Sequence, residues 1–259
     1  MATIESATAG SFCWIELATT NQNAAKTFYT NLFGWTVTDN PMGPDEVYSM
    51  FKLKGHDSGA AYTLKKEQQA QGVPPHWGLY IAVNSADDAV KNAEKLGGKV
   101  LAPAFDVFDV GRMAVLQDPT GAIFQVWQAK ASQGISIAGE DNAFCWADLV
   151  TTDPLKAEKF YSGLFGWKIS KGEHDPSGYL HIKNGEHFIG GVPPASGNSK
   201  IPPHWMIYIQ AADVAKTVDK AKGLGAKVLM PPQTMEHVGT WAIVADPQGA
   251  SFALFKSAR

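Results

Sequence analysis

Apolar and polar residues alternate along FCWIEL at residues 12–17, the two-residue period of a strand with one face in a core. The period then lengthens. Ala25, Phe28, Tyr29 and Leu32 recur at three- and four-residue spacing, which predicts a helix with one buried stripe. Asn21 is placed to cap its start, and Gly34 to end it in the left-handed region. The plan repeats from residue 76. HWGLYIAV reads as a strand, Ser85 as a cap, Ala89, Val90, Ala93 and Leu96 as an apolar stripe, and Gly97 as a stop. Short strands are predicted around Val100, Met113–Leu116 and Phe124–Trp127. The Asp-Pro-x-Gly at 118–121 has the chemistry of a type I turn between the last two.

The whole pattern then recurs. FCWIELATTNQNAAKTFYTNLFGW (12–35) matches FCWADLVTTDPLKAEKFYSGLFGW (144–167), LGGKVLAP (96–103) matches LGAKVLMP (224–231), and DPTGAIFQVW (118–127) matches DPQGASFALF (246–255). PPHWGLYI (74–81) returns as PPHWMIYI (202–209). Self-similarity along the full chain means two copies of one domain. Residues 8–130 form the first, 142–259 the second, and 131–141, polar and Gly-containing, the linker. The fold class is α+β, two strand–helix–strands units per domain on mostly antiparallel sheets.

Composition narrows the function classes. The 259 residues are 45% hydrophobic and 18% charged, a globular balance. A formal net charge of −3 without any Lys/Arg run gives no footprint for nucleic acid or an anionic membrane. No stretch approaches the roughly 18 apolar residues of a membrane span. The opening MATIESATAGS lacks the basic and apolar segments of a signal peptide, and Cys13 and Cys145 make no disulfide framework. The expectation is a cytoplasmic protein, monomer or homodimer.

The frame W-x-x-L-x-T, F-Y-x-x-L-F-G-W, L-G-G-x-V and D-P-x-G-x-x-F-x-x-W, met once per half, resembles the vicinal oxygen chelate superfamily of glyoxalase I, bleomycin-resistance proteins and extradiol dioxygenases. The resemblance implies tandem glyoxalase-like domains, each of two paired βαβββ modules whose curved sheet forms a cavity. It also implies a divalent metal held by His, Gln or Glu on the first and last strands of the modules. Those positions fall here on Trp14 and Trp146, on Gly78 and Met206, on Gln125 and Ala253, and near Gly59–Tyr62 and Gly190–Val192. No cofactor is therefore expected, with a divalent metal as the alternative. Among the seven histidines, His174, His181, His187 and His237 belong to the second copy, and their spacing matches no metal motif.

Strand parity supplies the candidate site. Ile15 and Leu17 must face the helices, so Trp14 and Glu16 share the cavity face, as do Trp146 and Asp148. An acid on such a face is costly unless partnered and is a candidate general base or ligand anchor. By the same parity His76 and Tyr80, and His204 and Tyr208, point with them. Glu16, Asp148, His76 and His204 are the catalytic candidates. Trp14, Tyr80, Arg112, Gln125, Trp127, Trp146 and Tyr208 are the ligand-binding candidates. The reading is a protein that binds or sequesters a small apolar or aromatic molecule. Its rival is a glyoxalase-like lyase or isomerase, or a dioxygenase-type enzyme, using the inward acid with His or Tyr, or a non-standard metal site.

Overall fold

The structure is a computed structural model that describes residues 7–44, 46–172, 177–195 and 201–258. His174 lies outside the described residues. A first module comprises β1 (Phe12–Thr19), α1 (Gln22–Phe33), β2 (Thr36–Pro41), β3 (Val47–Leu53) and β4 (His56–Thr63). After a short α2 (Lys66–Ala70), a second comprises β5 (His76–Ala82), α3 (Ala86–Lys95), β6 (Lys99–Val107), β7 (Gly111–Gln117) and β8 (Ile123–Ala129). The second half repeats this with β9 (Phe144–Val150), α4 (Pro154–Phe165), β10 (Lys168–Lys171), β11 (Leu180–Asn184) and β12 (His187–Val192). Then come β13 (His204–Gln210), α5 (Val214–Gly223), β14 (Lys227–Met235), β15 (Gly239–Ala245) and β16 (Ser251–Ser257). Among the described residues no helix is long and apolar enough to cross a membrane.

Each half makes one eight-stranded sheet, ordered β2-β3-β4-β1-β5-β8-β7-β6 and β10-β11-β12-β9-β13-β16-β15-β14. The modules meet at an antiparallel β1–β5 seam flanked by the parallel pairs β1–β4 and β5–β8. This seam sets the site. It places Trp14 opposite Tyr80 and Glu16 opposite Gly78, with Gln125 beside Tyr80 on the next strand. The first helix of each half begins and ends where the sequence predicts, while the short α2 was not foreseen. Asn21 accepts from the Ala24 N–H at 3.0 Å, and Gly34 closes α1 at φ 71°. Asp153 and Gly166 do the same for α4.

The core lies on the sheet faces opposite the cups and is common to both halves. Phe252 of β16 packs on Phe28, Tyr29 and Phe33 of α1, while Phe124 of β8 packs on Phe160, Tyr161 and Phe165 of α4. Indole donors cross in both directions, Trp35 Nε1 to the Asn142 carbonyl at 2.8 Å and Trp167 Nε1 to the Gly10 carbonyl at 2.7 Å. Residues 131–141, predicted as a polar linker, are docked. The Ile135 N–H donates to the Cys13 carbonyl and the Ser136 N–H to the Asp57 carbonyl. Ile135 and Ile137 are buried, and this alternating pair inside a polar stretch is the signal that composition alone hides.

Tyr29 shows how the halves are joined. Its hydroxyl donates to Asp246 Oδ2 at 3.0 Å and accepts from Trp77 Nε1 at 3.0 Å, all three groups being buried. Tyr29→Phe orphans an indole N–H and a carboxylate oxygen, each costing about 1–3 kcal/mol when buried. The urea midpoint is expected to fall accordingly at an unchanged m-value.

Candidate functional site

A cavity of about 1240 Å³ opens on the free face of the first sheet, walled by Trp14, Tyr48, Tyr80, Phe105, Met113 and Trp127. Glu16 lines it from β1, since alternation sends the fully buried Ile15 and Leu17 to the core. Tyr80 Oη donates to Glu16 Oε2 at 2.7 Å and Tyr48 Oη at 3.1 Å, while Trp14 Nε1 donates to Tyr48 Oη at 2.9 Å. An indole N–H can only donate. The Tyr48 oxygen must therefore accept from Trp14 and turn its own hydrogen toward Glu16, which fixes the polarity of the chain.

Burial pushes the Glu16 carboxyl above its ordinary range, and the hydrogen bonds from Tyr80 and Tyr48 oppose that shift. Burial, and then the Glu16 charge, push the Tyr48 and Tyr80 hydroxyls well up and Tyr62 to about 12. The phenols keep their protons, so the carboxylate is an acceptor.

The second half rebuilds the unit. Asp148 Oδ1 accepts from Tyr179 Oη at 2.5 Å and Trp146 Nε1 at 3.0 Å, and Oδ2 accepts from Tyr208 Oη at 2.6 Å. Burial raises the Asp148 carboxyl against these bonds. A paired change preserves the geometry. Glu16 lies beside Ala60 on the neighbouring strand, but the shorter Asp148 lies beside Gly191. A Cβ at Gly191 would overlap the Tyr179 hydroxyl, so glycine lets the phenol sink to the shorter acid. Gly191→Ala is expected to cost about 1–3 kcal/mol by overpacking. Asp148→Glu added to it should recover more than half of that loss in urea unfolding, a coupling two independent sites would lack.

The cups differ next to the acid. Gly78 carries no side chain, and a Cβ there would lie 3.2 Å from both amide atoms of Gln125. The second half has buried Met206 opposite Asp148 and buried Ala253 beside Tyr208. Volume has moved from β8 to the first strand of the second module.

The structure thus brings Trp14, Glu16, His76, Tyr80, Gln125 and Trp127 to one cavity, and Trp146, Asp148 and Tyr208 to the second acid. His76 Nδ1 lies 2.8 Å from the Pro74 carbonyl and His204 Nδ1 2.9 Å from that of Pro202. Arg112 does not join them, contrary to expectation. Its guanidinium is held outside the cavity by Asp87 at 2.8 and 3.0 Å, by Asp106 at 3.4 Å and by the Ala104 carbonyl, because its strand position faces acids on α3 and β6. The sequence reading missed Tyr48 and Tyr179. Their only signal was a shared Tyr-x-x-x-Lys, Tyr48 to Lys52 in β3 and Tyr179, just before β11, to Lys183, in segments otherwise unlike. His181, whose spacing matched no metal motif, packs on Tyr179 at 5.1 Å.

Comparison with known proteins places this architecture. The model of the Glyoxalase/Bleomycin resistance protein/Dioxygenase superfamily matches residues 11–126 and 143–254. CFP32 of Mycobacterium tuberculosis, provisionally named a glyoxylase, is 39% identical over 95% of this chain and 94% of its own. The anthracycline biosynthesis protein DauV of Streptomyces sp. strain C5 is 31% identical over 95% of this chain and 92% of its own. Among solved structures, a Mn(II)-bound glyoxalase from Novosphingobium aromaticivorans superposes at a TM-score of 0.66 with 15% identity, covering 95% of this chain and 82% of that one. The 2,3-dioxygenase LapB of Pseudomonas sp. KL28 gives 0.64 with 14% identity, covering 96% and 93%.

The described residues offer no ready counterpart for the Mn(II) of the Novosphingobium glyoxalase. Among the described residues no three of His, Cys, Asp and Glu converge on a point. The family's ligand positions hold Trp14, Gly78 and Gln125 in one cup and Trp146, Met206 and Ala253 in the other. Glu16 already accepts from two phenols, so this donor set does not fit a divalent ion, which asks for several free oxygens or imidazoles. With the family model matched once over each eight-stranded sheet, the chain belongs to the Glyoxalase/Bleomycin resistance protein/Dioxygenase superfamily.

Proposed function

We propose that the protein binds a small molecule with a flat apolar body in its N-terminal cup, one per chain and without a metal, and thereby sequesters it. The observation that carries this reading is the cavity of about 1240 Å³ with aromatic walls and a phenol-held carboxylate. Such a volume exceeds the few-hundred-Å³ minimum of small-molecule sites, and rigid aromatic walls with few polar groups are their usual lining. The relative named for anthracycline biosynthesis supports a flat polycyclic ligand class. Buried Met206 and Ala253 replace the Gly78–Gln125 pair in the second cup, which supports assigning the ligand to the first.

The test titrates 2-(hydroxymethyl)naphthalene into the protein while following tryptophan emission. Trp14 and Trp127 line the cavity, so saturable quenching at one probe per chain is expected, and it should vanish in Gly78→Met. Quenching that never saturates, or that Gly78→Met leaves intact, would reject the reading.

A second reading, turnover by proton transfer between the inward acid and a neighbouring His or Tyr, draws on His76, whose ring lines the same cavity. It requires deuterium incorporation from D₂O into aryl ketones above the buffer rate, observed by NMR. No incorporation across such a panel would exclude it.

A further inference from the structure

Around Glu16, the indole and phenol donors of the N-terminal cup are committed, and the Gln125 amide is the polar group beside it that has not found an acceptor or a donor. Trp14 Nε1 is given to Tyr48, the Tyr48 and Tyr80 hydroxyls to Glu16, and Trp127 Nε1 to the Ser132 carbonyl at 3.0 Å. Two acceptors meet at Gly78, and a third lines the same cavity. Glu16 stands directly opposite that glycine. Gln125, whose amide lies over it, has a buried Oε1 without a partner. His76, two residues earlier on the same face, has Nδ1 against the Pro74 carbonyl. A carbonyl only accepts, so Nδ1 carries the hydrogen, and in that tautomer Nε2 is the acceptor.

Charge points the same way. Among the described residues Glu16, Asp39, Glu46 and Asp109 line the cavity against only Lys26 and Lys65. Both lysines are engaged at the rim, Lys26 with Asp39 at 2.8 Å and Lys65 with Glu46 at 4.0 Å. No described cation pairs with Glu16. A buried carboxylate without a countercharge and a buried amide oxygen without a donor are each costly, and a bound cation that carries N–H donors offsets both.

We infer that the subsite over Gly78 takes a protonated amine carried on the ligand's flat body. The inference rests on the binding reading above and names the polar end of that ligand. A hydroxyl offers one hydrogen to several acceptors. An ammonium offers up to three, neutralises Glu16, makes charge-assisted bonds, and meets the faces of Trp14 and the neighbouring phenols favourably. The second cup cannot take this group in the same way, because buried Met206 and Ala253 replace the Gly78–Gln125 pair and supply no amide.

The test uses three probes on one ring, 2-(aminomethyl)naphthalene, 2-(hydroxymethyl)naphthalene and 2-naphthoate, by calorimetric titration at pH 7. The amine is expected to bind at least about tenfold tighter than the alcohol, a difference of roughly 1.4 kcal/mol, and 2-naphthoate weakest. Glu16→Gln should bring the amine down to the alcohol. Gln125→Leu, which leaves Glu16 and its phenols in place, should weaken the amine several-fold more than the alcohol. Gly78→Met should abolish binding of all three. Alcohol or naphthoate binding as tightly as the amine overturns the amine assignment and leaves the binding reading standing. So does an amine preference that survives both Glu16→Gln and Gln125→Leu. Failure of all three probes, or binding untouched by Gly78→Met, overturns both.

Discussion

Trp167→Ala is expected to lower the free energy of unfolding by about 3–5 kcal/mol and to do so in one transition. Trp167 is 2% exposed, stacks on Tyr161 at 5.4 Å, and meets Phe12 edge-on at 5.6 Å and Trp205 at 6.0 Å. Its indole N–H reaches the Gly10 carbonyl of the other half. Alanine therefore opens a cavity that several rigid rings cannot close, and it orphans a carbonyl as well. Because Phe12 belongs to the first half and the buried residues of both halves form one cluster, the loss should be felt by both sheets. Urea unfolding followed by tryptophan emission and by far-UV circular dichroism should give coincident curves with one lowered midpoint. Two separated transitions, with only the second half shifted, would show instead that the halves unfold independently.

That shared core marks the limit of what the chain's pattern discloses. Periodicity and capping residues locate the elements because they act over a few residues, and the duplicated phrases reveal the tandem domains. Parity on the first strand gives Glu16 and Asp148 because Ile15 and Leu17 leave those acids one face. Nothing local pairs Tyr29 with Asp246, which is 217 residues away, or docks Ile135 on Cys13. Tyr48 and Tyr179 are invisible for the same reason. Their partners sit across β4 and β12, and only the register brings phenol and acid together. Arg112 is the converse case. It was a ligand-binding candidate, but Asp87 and Asp106 are close enough to claim its guanidinium.

Replacing both inward acids by their amides, Glu16→Gln with Asp148→Asn, is expected to change how stability depends on pH. Burial raises both carboxyls in the folded protein against the bonds from their phenols. The native state then holds these protons more tightly than the unfolded chain. Between the ordinary carboxylate range and the raised folded values the native state binds more protons, so stability falls as pH rises. The contribution is fully present below the unfolded values and lost once pH has passed the folded ones. Each acid can tilt the profile by at most about 1.4 kcal/mol per pH unit. Asp39, Asp87, Asp106, Glu140 and Asp213, lowered mainly by hydrogen bonds from Lys, Arg or backbone partners, tilt it the opposite way. They are common to both proteins and cancel when parent is subtracted from variant. The difference in unfolding free energy, from urea titrations at half-unit steps from pH 4 to 9, should climb in the variant's favour and then level. Glu16→Gln can keep one oxygen toward both phenols, which share Oε2, whereas Asp148→Asn turns an NH2 toward either Tyr179 or Tyr208. That lost bond does not titrate, and it offsets the whole difference without tilting it. A flat difference would mean that the acids carry ordinary titrations. A difference that falls with pH would mean that the phenols stabilise the charge more than burial opposes it, and Glu16 would then need no cation from a ligand.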